Sequence, residues 1–289
     1  MTNEKNNPIL IELDAVLPPK MAKKAETVGV KKVQLNGWNM LALAILAGAF
    51  IALGSIFYTT VTAGLKAVLP YGIIKLLGGL VFCLGLILVI VAGAELFTGN
   101  ALIVMAWAGG KIKTRQLLKN WGIVYLGNFI GALTTVVLLF FSKQYFFNQG
   151  KIGLHMLEIA QAKCQLDFVQ AMFLGILCNA LVCLAVWLCF SARTTTDKIL
   201  AILFPITAFV AAGFEHSIAN MYFIPAGLVV KSFAAPEFWE LIGSSAADFA
   251  NLTWSNFFVK NLLPVTIGNI IGGGFLVGIV YWFIYRRTL

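Results

Sequence analysis

Hydrophobic positions fall in long blocks free of Asp, Glu, Lys and Arg: residues 33–65, 76–94, 96–110, 120–142, 168–192, 199–214, 216–230 and 261–285. A membrane-spanning helix needs roughly 20 apolar residues. Four blocks (33–65, 120–142, 168–192 and 261–285) meet that length and predict complete spans. The other four form two pairs, each divided by one glutamate, Glu95 or Glu215. Each pair predicts one span broken in the middle. Lipid cannot satisfy the freed backbone groups, so both breaks are expected to face protein or a water-filled cavity inside the bundle. The expectation is an all-α integral membrane protein of six spans.

The two breaks resemble each other. GAELFTGN (93–100) and GFEHSIAN (213–220) share G-x-E followed by Asn at the same distance, 120 positions apart. Downstream, KNWGIVYLGNFIG from Lys119 matches KNLLPVTIGNIIG from Lys260, now 141 positions apart, so the second half carries about 21 extra residues before its last span. Three spans per half is an odd number, so the second copy must be inverted. Inverted three-helix repeats bring discontinuous helices together near the midplane of many channels and transporters.

The second half-helices are expected to begin near Thr98 to Asn100 and Ala219 to Asn220, since Thr and Asn cap helix N-termini well. Inversion aims both positive helix ends inward, an arrangement that favours an anion. Glu95 and Glu215 have two readings. Either each carboxylate accepts backbone N–H bonds and shapes its loop, or it exchanges protons. An uncompensated charge at that depth costs about 2.5–3.5 kcal/mol, so both are expected hydrogen-bonded or protonated. His216 stands where the first copy has Leu96. That departure from symmetry suggests solute contact or proton exchange beside the alternative of packing, and Thr98 in the opposite loop is a candidate hydroxyl partner.

Composition sharpens the class. With 289 residues, 60% hydrophobic, 11% charged and mean hydropathy +0.89, the chain does not fit a soluble surface. Fourteen of the 21 Lys and Arg fall on the side that holds both termini if these are cytoplasmic, in line with the positive-inside rule. The net charge of +9 thereby reflects topology, and no basic patch with interleaved aromatics points to nucleic acid. Cys83, Cys164, Cys178, Cys183 and Cys189 lack CxxC spacing and read as packing residues. The chain has two histidines, His155 and His216, and no HExxH, GxSxG or Cys/His metal spacing, so no enzyme chemistry, metal or cofactor is expected. No NPA tripeptide stands at either break. Residues 1–37 read as a cytosolic arm without a signal-peptide core, containing an amphipathic helix that lies on the inner leaflet or is solvated, and 38–289 as the six-span domain.

AELFTGN, GFEHSIANMYFIPAGL and NLLPVTIGNIIGGG resemble the signatures of the formate/nitrite transporter family, and the resemblance extends from about residue 17 to residue 287. LVCLAVWL and SFAAPEFWELIGS resemble its formate-conducting branch. The resemblance implies an aquaporin-like protomer in a homopentamer of the bacterial inner membrane, in contact with lipid and moving formate and related small monocarboxylates in both directions. Nitrite or hydrosulfide is the alternative solute. By position it implies pathway roles for Thr98, His216, Lys163, Asn179 and Asn220, with proton exchange at His216. It also implies constrictions at Phe82, Leu86, Leu96, Val182 and Phe209, and an arm that influences opening at acidic pH. From the residues alone, each of these five apolar side chains is ordinary packing in an apolar bundle. Lys163 is either an exposed ion-pair partner of Glu158 and Asp167 or part of an anion funnel, and Asn179 faces either a cavity or another helix.

Overall fold

The computed structural model describes residues 14–287; the first thirteen residues of the arm and the last two of the chain lie outside the described residues. Among the described residues all regular structure is helical. Five helices are long and apolar enough to cross a membrane: Gly37–Ala67, Tyr71–Val91, Thr114–Phe141, Phe168–Ser191 and Ala246–Tyr285. The remaining crossing is made by Thr195–Ala211 and Ser217–Phe233, each 17 residues long, on either side of a break at 212–216. Tyr71–Val91 likewise continues past a break at 92–96 into the short apolar helix Phe97–Ala108. The six crossings and their two interruptions follow the charge-free blocks of the sequence.

Glycine sets both interruptions. Gly93 and Gly213 sit at φ +83° and +74°, the left-handed region that other residues rarely adopt. The following residues close the helix ends in the same way, Ala94 N–H donating to Val89 O at 2.9 Å and Phe214 N–H to Phe209 O at 3.0 Å, the bond that ends helices after a left-handed glycine. The chain then runs extended for only a few residues. The half-helices resume at Phe97 and Ser217 with Leu96 and His216 as N-caps, earlier than the Thr and Asn caps expected from sequence. The reason is that neighbouring spans supply acceptors for the freed N–H groups, so Thr98 and Asn220 are not needed as caps.

The later part of each break, Ala94 to Leu96 and Glu215 to His216, is buried, and so are the half-helix residues 101–106 and 217–228 that follow. Close helix contacts make this possible. A Cβ on Gly131 would lie 1.9 Å from Ile45 O, and one on Gly272 2.1 Å from Ile176 O. The extra length of the second half lies after Ser217–Phe233, which bends by 109° into Pro236–Ile242 before a short turn at Ala246–Phe249.

The arm helix Pro18–Gln34 is amphipathic, with Lys20, Lys23, Lys24, Thr27 and Lys31 on an exposed face and its other face packed on the spans. Its small apolar face, Met21, Ala22, Ala25 and Gly29, is buried. Glu26, 1% exposed, pairs with Lys111 from the turn after the first broken span and with Arg286 Nε at 3.1 Å from the end of the last span. A carboxylate removed from water needs such partners, and here they tie three distant segments together.

Candidate functional site

Each break is held by the same set of side chains. At the first, Lys32 Nζ donates to Glu95 Oε1 at 2.7 Å, Asn100 Nδ2 donates to Glu95 Oε2 at 2.7 Å and to Asn120 Oδ1 at 2.9 Å, and Asn120 Nδ2 reaches Lys32 O at 3.4 Å. At the second, Lys163 Nζ donates to Glu215 Oε1 at 2.7 Å, Asn220 Nδ2 to Glu215 Oε2 and Asn261 Oδ1, both at 2.7 Å, and Asn261 Nδ2 to Lys163 O at 3.0 Å. A further asparagine fixes each loop's backbone. Asn128 Oδ1 accepts Phe97 N–H while its amide donates to Ala44 O and Glu95 O. Asn269 Oδ1 accepts Ser217 N–H while its amide donates to Gly175 O and Glu215 O.

Two sequence expectations are corrected here. Among the described residues the Glu95 and Glu215 carboxylates take Lys and Asn side chains and no backbone N–H; Phe97 and Ser217 N–H go to Asn128 and Asn269, and the N–H groups of Glu95 and Glu215 go to Leu43 O and Leu174 O. Lys163 is not in an exposed pair with Glu158 or Asp167. It is turned inward to Glu215, while Glu158 takes Lys66 at 2.6 Å and Asp167 caps its own helix through Gln170 N–H. A lysine 17% exposed is held more firmly by a buried carboxylate than by one in water.

Asn120, Asn128, Asn261, Asn269 and Lys32 are site residues that the sequence reading did not single out. The four asparagines are the repeated letters of the two K-N and G-N motifs. Lys32 had a weaker signal: KVQLN (32–36) and KCQLD (163–167) match at an offset of 131, and Asn36 and Asp167 both cap the helix that follows. The arm helix is thus the counterpart of Lys151–Cys164 on the far side, and the repeat unit is four helices long.

The two breaks meet at one contact, Thr98 Oγ1 to His216 Nε2 at 2.9 Å, both residues buried. His216 Nδ1 accepts Ala219 N–H at 3.0 Å, so a neutral ring carries its hydrogen on Nε2 and donates it to Thr98. Phe209 stacks on the imidazole at 5.9 Å and Phe82 meets Phe209 edge-on at 5.8 Å. Asn179 faces the break rather than a cavity: its amide donates to Thr98 O at 3.2 Å and Asn269 O at 2.7 Å. The Cys183 thiol also donates to Thr98 O, and all five cysteines are free and buried.

Two cavities approach this contact. One, on the far side from the arm, holds about 350 Å³ and is lined near its floor by Phe82, Phe209, His216, Asn220 and Lys163. The other, on the arm side, holds about 460 Å³ and has Leu86 and Leu96 in its wall together with Lys24, Lys31 and Lys32. Of the five apolar residues singled out in the sequence, four line one of these cavities. Val182 is buried without lining either.

Comparison with known proteins places this architecture. The family model described as "Formate/nitrite transporter" matches residues 19–283. The chain is 50% identical over 274 residues to the "Formate channel FocA" of Escherichia coli (strain K12), covering 95% of this chain and 96% of that one. A solved structure described as "Pentameric formate channel with formate bound" superposes with TM-score 0.83 at 47% identity, over 87% of this chain and 98% of the other. A second, an "FNT family ion channel", gives TM-score 0.77 at 28% identity over 92% and 98%. With its broken spans, their paired Glu–Asn–Lys clusters and the match running nearly end to end, the chain belongs to the formate/nitrite transporter family.

Proposed function

We propose that this protein conducts formate and related small monocarboxylates in both directions across the bacterial inner membrane. In this reading it is a homopentamer with a pore in each protomer, both termini are cytoplasmic, and residues 1–37 form the arm of a channel domain spanning 38–289. The observation that carries the reading is the pair of cavities that stop on either side of one buried Thr98–His216 contact. The relatives named as formate channels support the choice of solute.

A carboxylate entering from either side meets a lysine, Lys163 or Lys32, and then a plug of apolar side chains at Phe82, Phe209, Leu86 and Leu96. Crossing such a plug as a bare anion is costly because hydration is lost in a low dielectric. Thr98 supplies a local answer. Its hydroxyl accepts from His216 Nε2–H, which leaves its own proton to donate to a carboxylate. Placing the charge on His216 requires Nδ1 to take a proton, and Nδ1 is occupied by Ala219 N–H. The resting ring is therefore the neutral tautomer. A carboxylate at Thr98 supplies the negative charge that stabilises an imidazolium. A proton from the vestibule then reaches Nδ1 as the Ala219 N–H bond opens, the Nε2 proton passes to Thr98 Oγ1 and the Thr98 hydroxyl proton passes to the carboxylate, which leaves as the neutral acid. Loss of the Nδ1 proton and reprotonation at Nε2 restore the resting ring.

Uptake of labelled formate into proteoliposomes, with nitrite, hydrosulfide and chloride as competitors, tests the solute. Formate flux above protein-free vesicles, suppressed by formate more than by the others, is the expected result. Better passage of nitrite or hydrosulfide would assign the pore to that solute instead.

A further inference from the structure

At the mouth of the far-side cavity lies a cluster of ionisable groups set apart from the Thr98–His216 contact. His155 and Glu158 are one turn apart on Lys151–Cys164, and Lys66 and Thr62 come from the end of the first span and its following turn. All four line the cavity. His155 Nε2 lies 2.9 Å from Thr62 Oγ1. Thr62 already donates its single hydroxyl proton to Tyr58 O at 2.7 Å, so it can only accept from the ring, and Nε2 must carry a hydrogen.

That leaves His155 Nδ1 as the free position. It faces Glu158 Oε2 at 3.6 Å, the same oxygen that Lys66 Nζ approaches at 2.6 Å. A lone pair set against a carboxylate is an arrangement that a proton on Nδ1 converts from repulsion to attraction. The ring is mostly shielded, with its side chain 13% exposed, yet it opens on the cavity through which solute must pass.

The charges around it decide what such a proton does. Lys66, Lys75 and Lys163 line the cavity against Glu158 and Glu215, with Tyr58 and Tyr71 in the wall and His216 at the floor. Three lysines over two carboxylates leave the cavity with one excess positive charge, and a protonated His155 doubles that excess.

We propose that His155, set by Thr62 and Glu158, is a proton-loaded collecting site for small monocarboxylate anions at the outer mouth of the pore. The inference rests on the formate reading and on the orientation given above. Acidification outside charges His155, and the charged mouth raises the local concentration of the anion that the deeper site then handles. His155 acts on capture, while His216 acts on passage.

Vesicles with the far side outward test it, with internal pH fixed and external pH lowered from about 8 to about 5, the interval over which histidine side chains change charge. The readout is the KM for external formate. In the wild-type protein KM falls by about two- to threefold beyond the change in His155→Gln, the factor that one unit charge about 8 Å away gives in water. His155→Gln keeps a donor for Thr62 and loses this pH-linked fall. His155→Lys carries a permanent charge and holds the low KM throughout. A His155→Gln protein whose KM follows pH as the wild type does would overturn the collecting site alone. Absence of formate flux above protein-free vesicles would overturn the formate reading and the collecting site with it.

Discussion

Thr98 and His216, 118 positions apart in the chain, meet at 2.9 Å where the two broken spans cross. The imidazole serves two partners at once, capping its own helix through Nδ1 and holding the Thr98 hydroxyl through Nε2. Asparagine can replace the first function, since it is among the best N-caps, but its short amide cannot replace the titratable ring. His216→Asn is therefore expected to assemble and melt within about 1 kcal/mol of the wild type while losing the pH dependence of formate flux. A variant with the wild-type pH profile would remove His216 from proton exchange.

Asn128 and Asn269 make equivalent sets of three hydrogen bonds around the two loops. Replacing either by Ala leaves a buried N–H and two carbonyls without that partner, at about 1–3 kcal/mol for each unsatisfied group. Thermal unfolding of the purified protein should show both alanine variants destabilised to a similar degree. A silent Asn128→Ala beside a severe Asn269→Ala would mean that the two loops are not held equivalently.

The Lys32–Glu95 and Lys163–Glu215 pairs make a related prediction. Removing one partner of a buried pair costs about 3–5 kcal/mol, because the other charge is left behind, whereas removing both is far milder. Glu215→Gln should thus be rescued in part by Lys163→Met, and Glu95→Gln by Lys32→Met, the latter less strongly because Lys32 is the more exposed lysine at 26% against 17%. A double variant no more stable than the worse single one would contradict this coupling.

At the cavity mouth, the hydrogen bond that His155 gives once Nδ1 is protonated, followed by that from Lys66, holds the Glu158 carboxyl down at about 2 against partial burial. A carboxyl lowered in the folded state contributes stability above its unfolded value, about 4.3, and loses it as pH falls through the folded one. The difference in melting temperature between wild type and Glu158→Gln should therefore be largest above about pH 4.3 and close as pH approaches 2. A difference that stays constant over that range would show that the pair adds no pH-linked stability.

The spans and their interruptions were legible because lipid tolerates neither charge nor open backbone, so a lone glutamate in a charge-free run has few structural explanations. The inward-facing contact was legible in part: Thr98 and His216 could be paired across the repeat, since both sit in the matching loops. What each glutamate binds was not legible. Its partners come from other spans, and Asn120 and Asn261 appear in the sequence only as letters shared by two motifs. What fixes the arm helix was not legible for a similar reason. Its charged face suggests water or a leaflet, while the residues that fix it, Glu26 with Lys111 and Arg286, are far apart in the chain and reveal their pairing only in the fold.

The most direct test of the pore account is formate flux into proteoliposomes across a pH series, comparing the wild type with Thr98→Val, which keeps the size of the side chain and removes its hydroxyl. The account predicts wild-type flux that rises on acidification, and a Thr98→Val protein slowed by about 10- to 100-fold, the range for losing one hydrogen bond to a charged group. Thr98→Val flux equal to the wild type at every pH would contradict it.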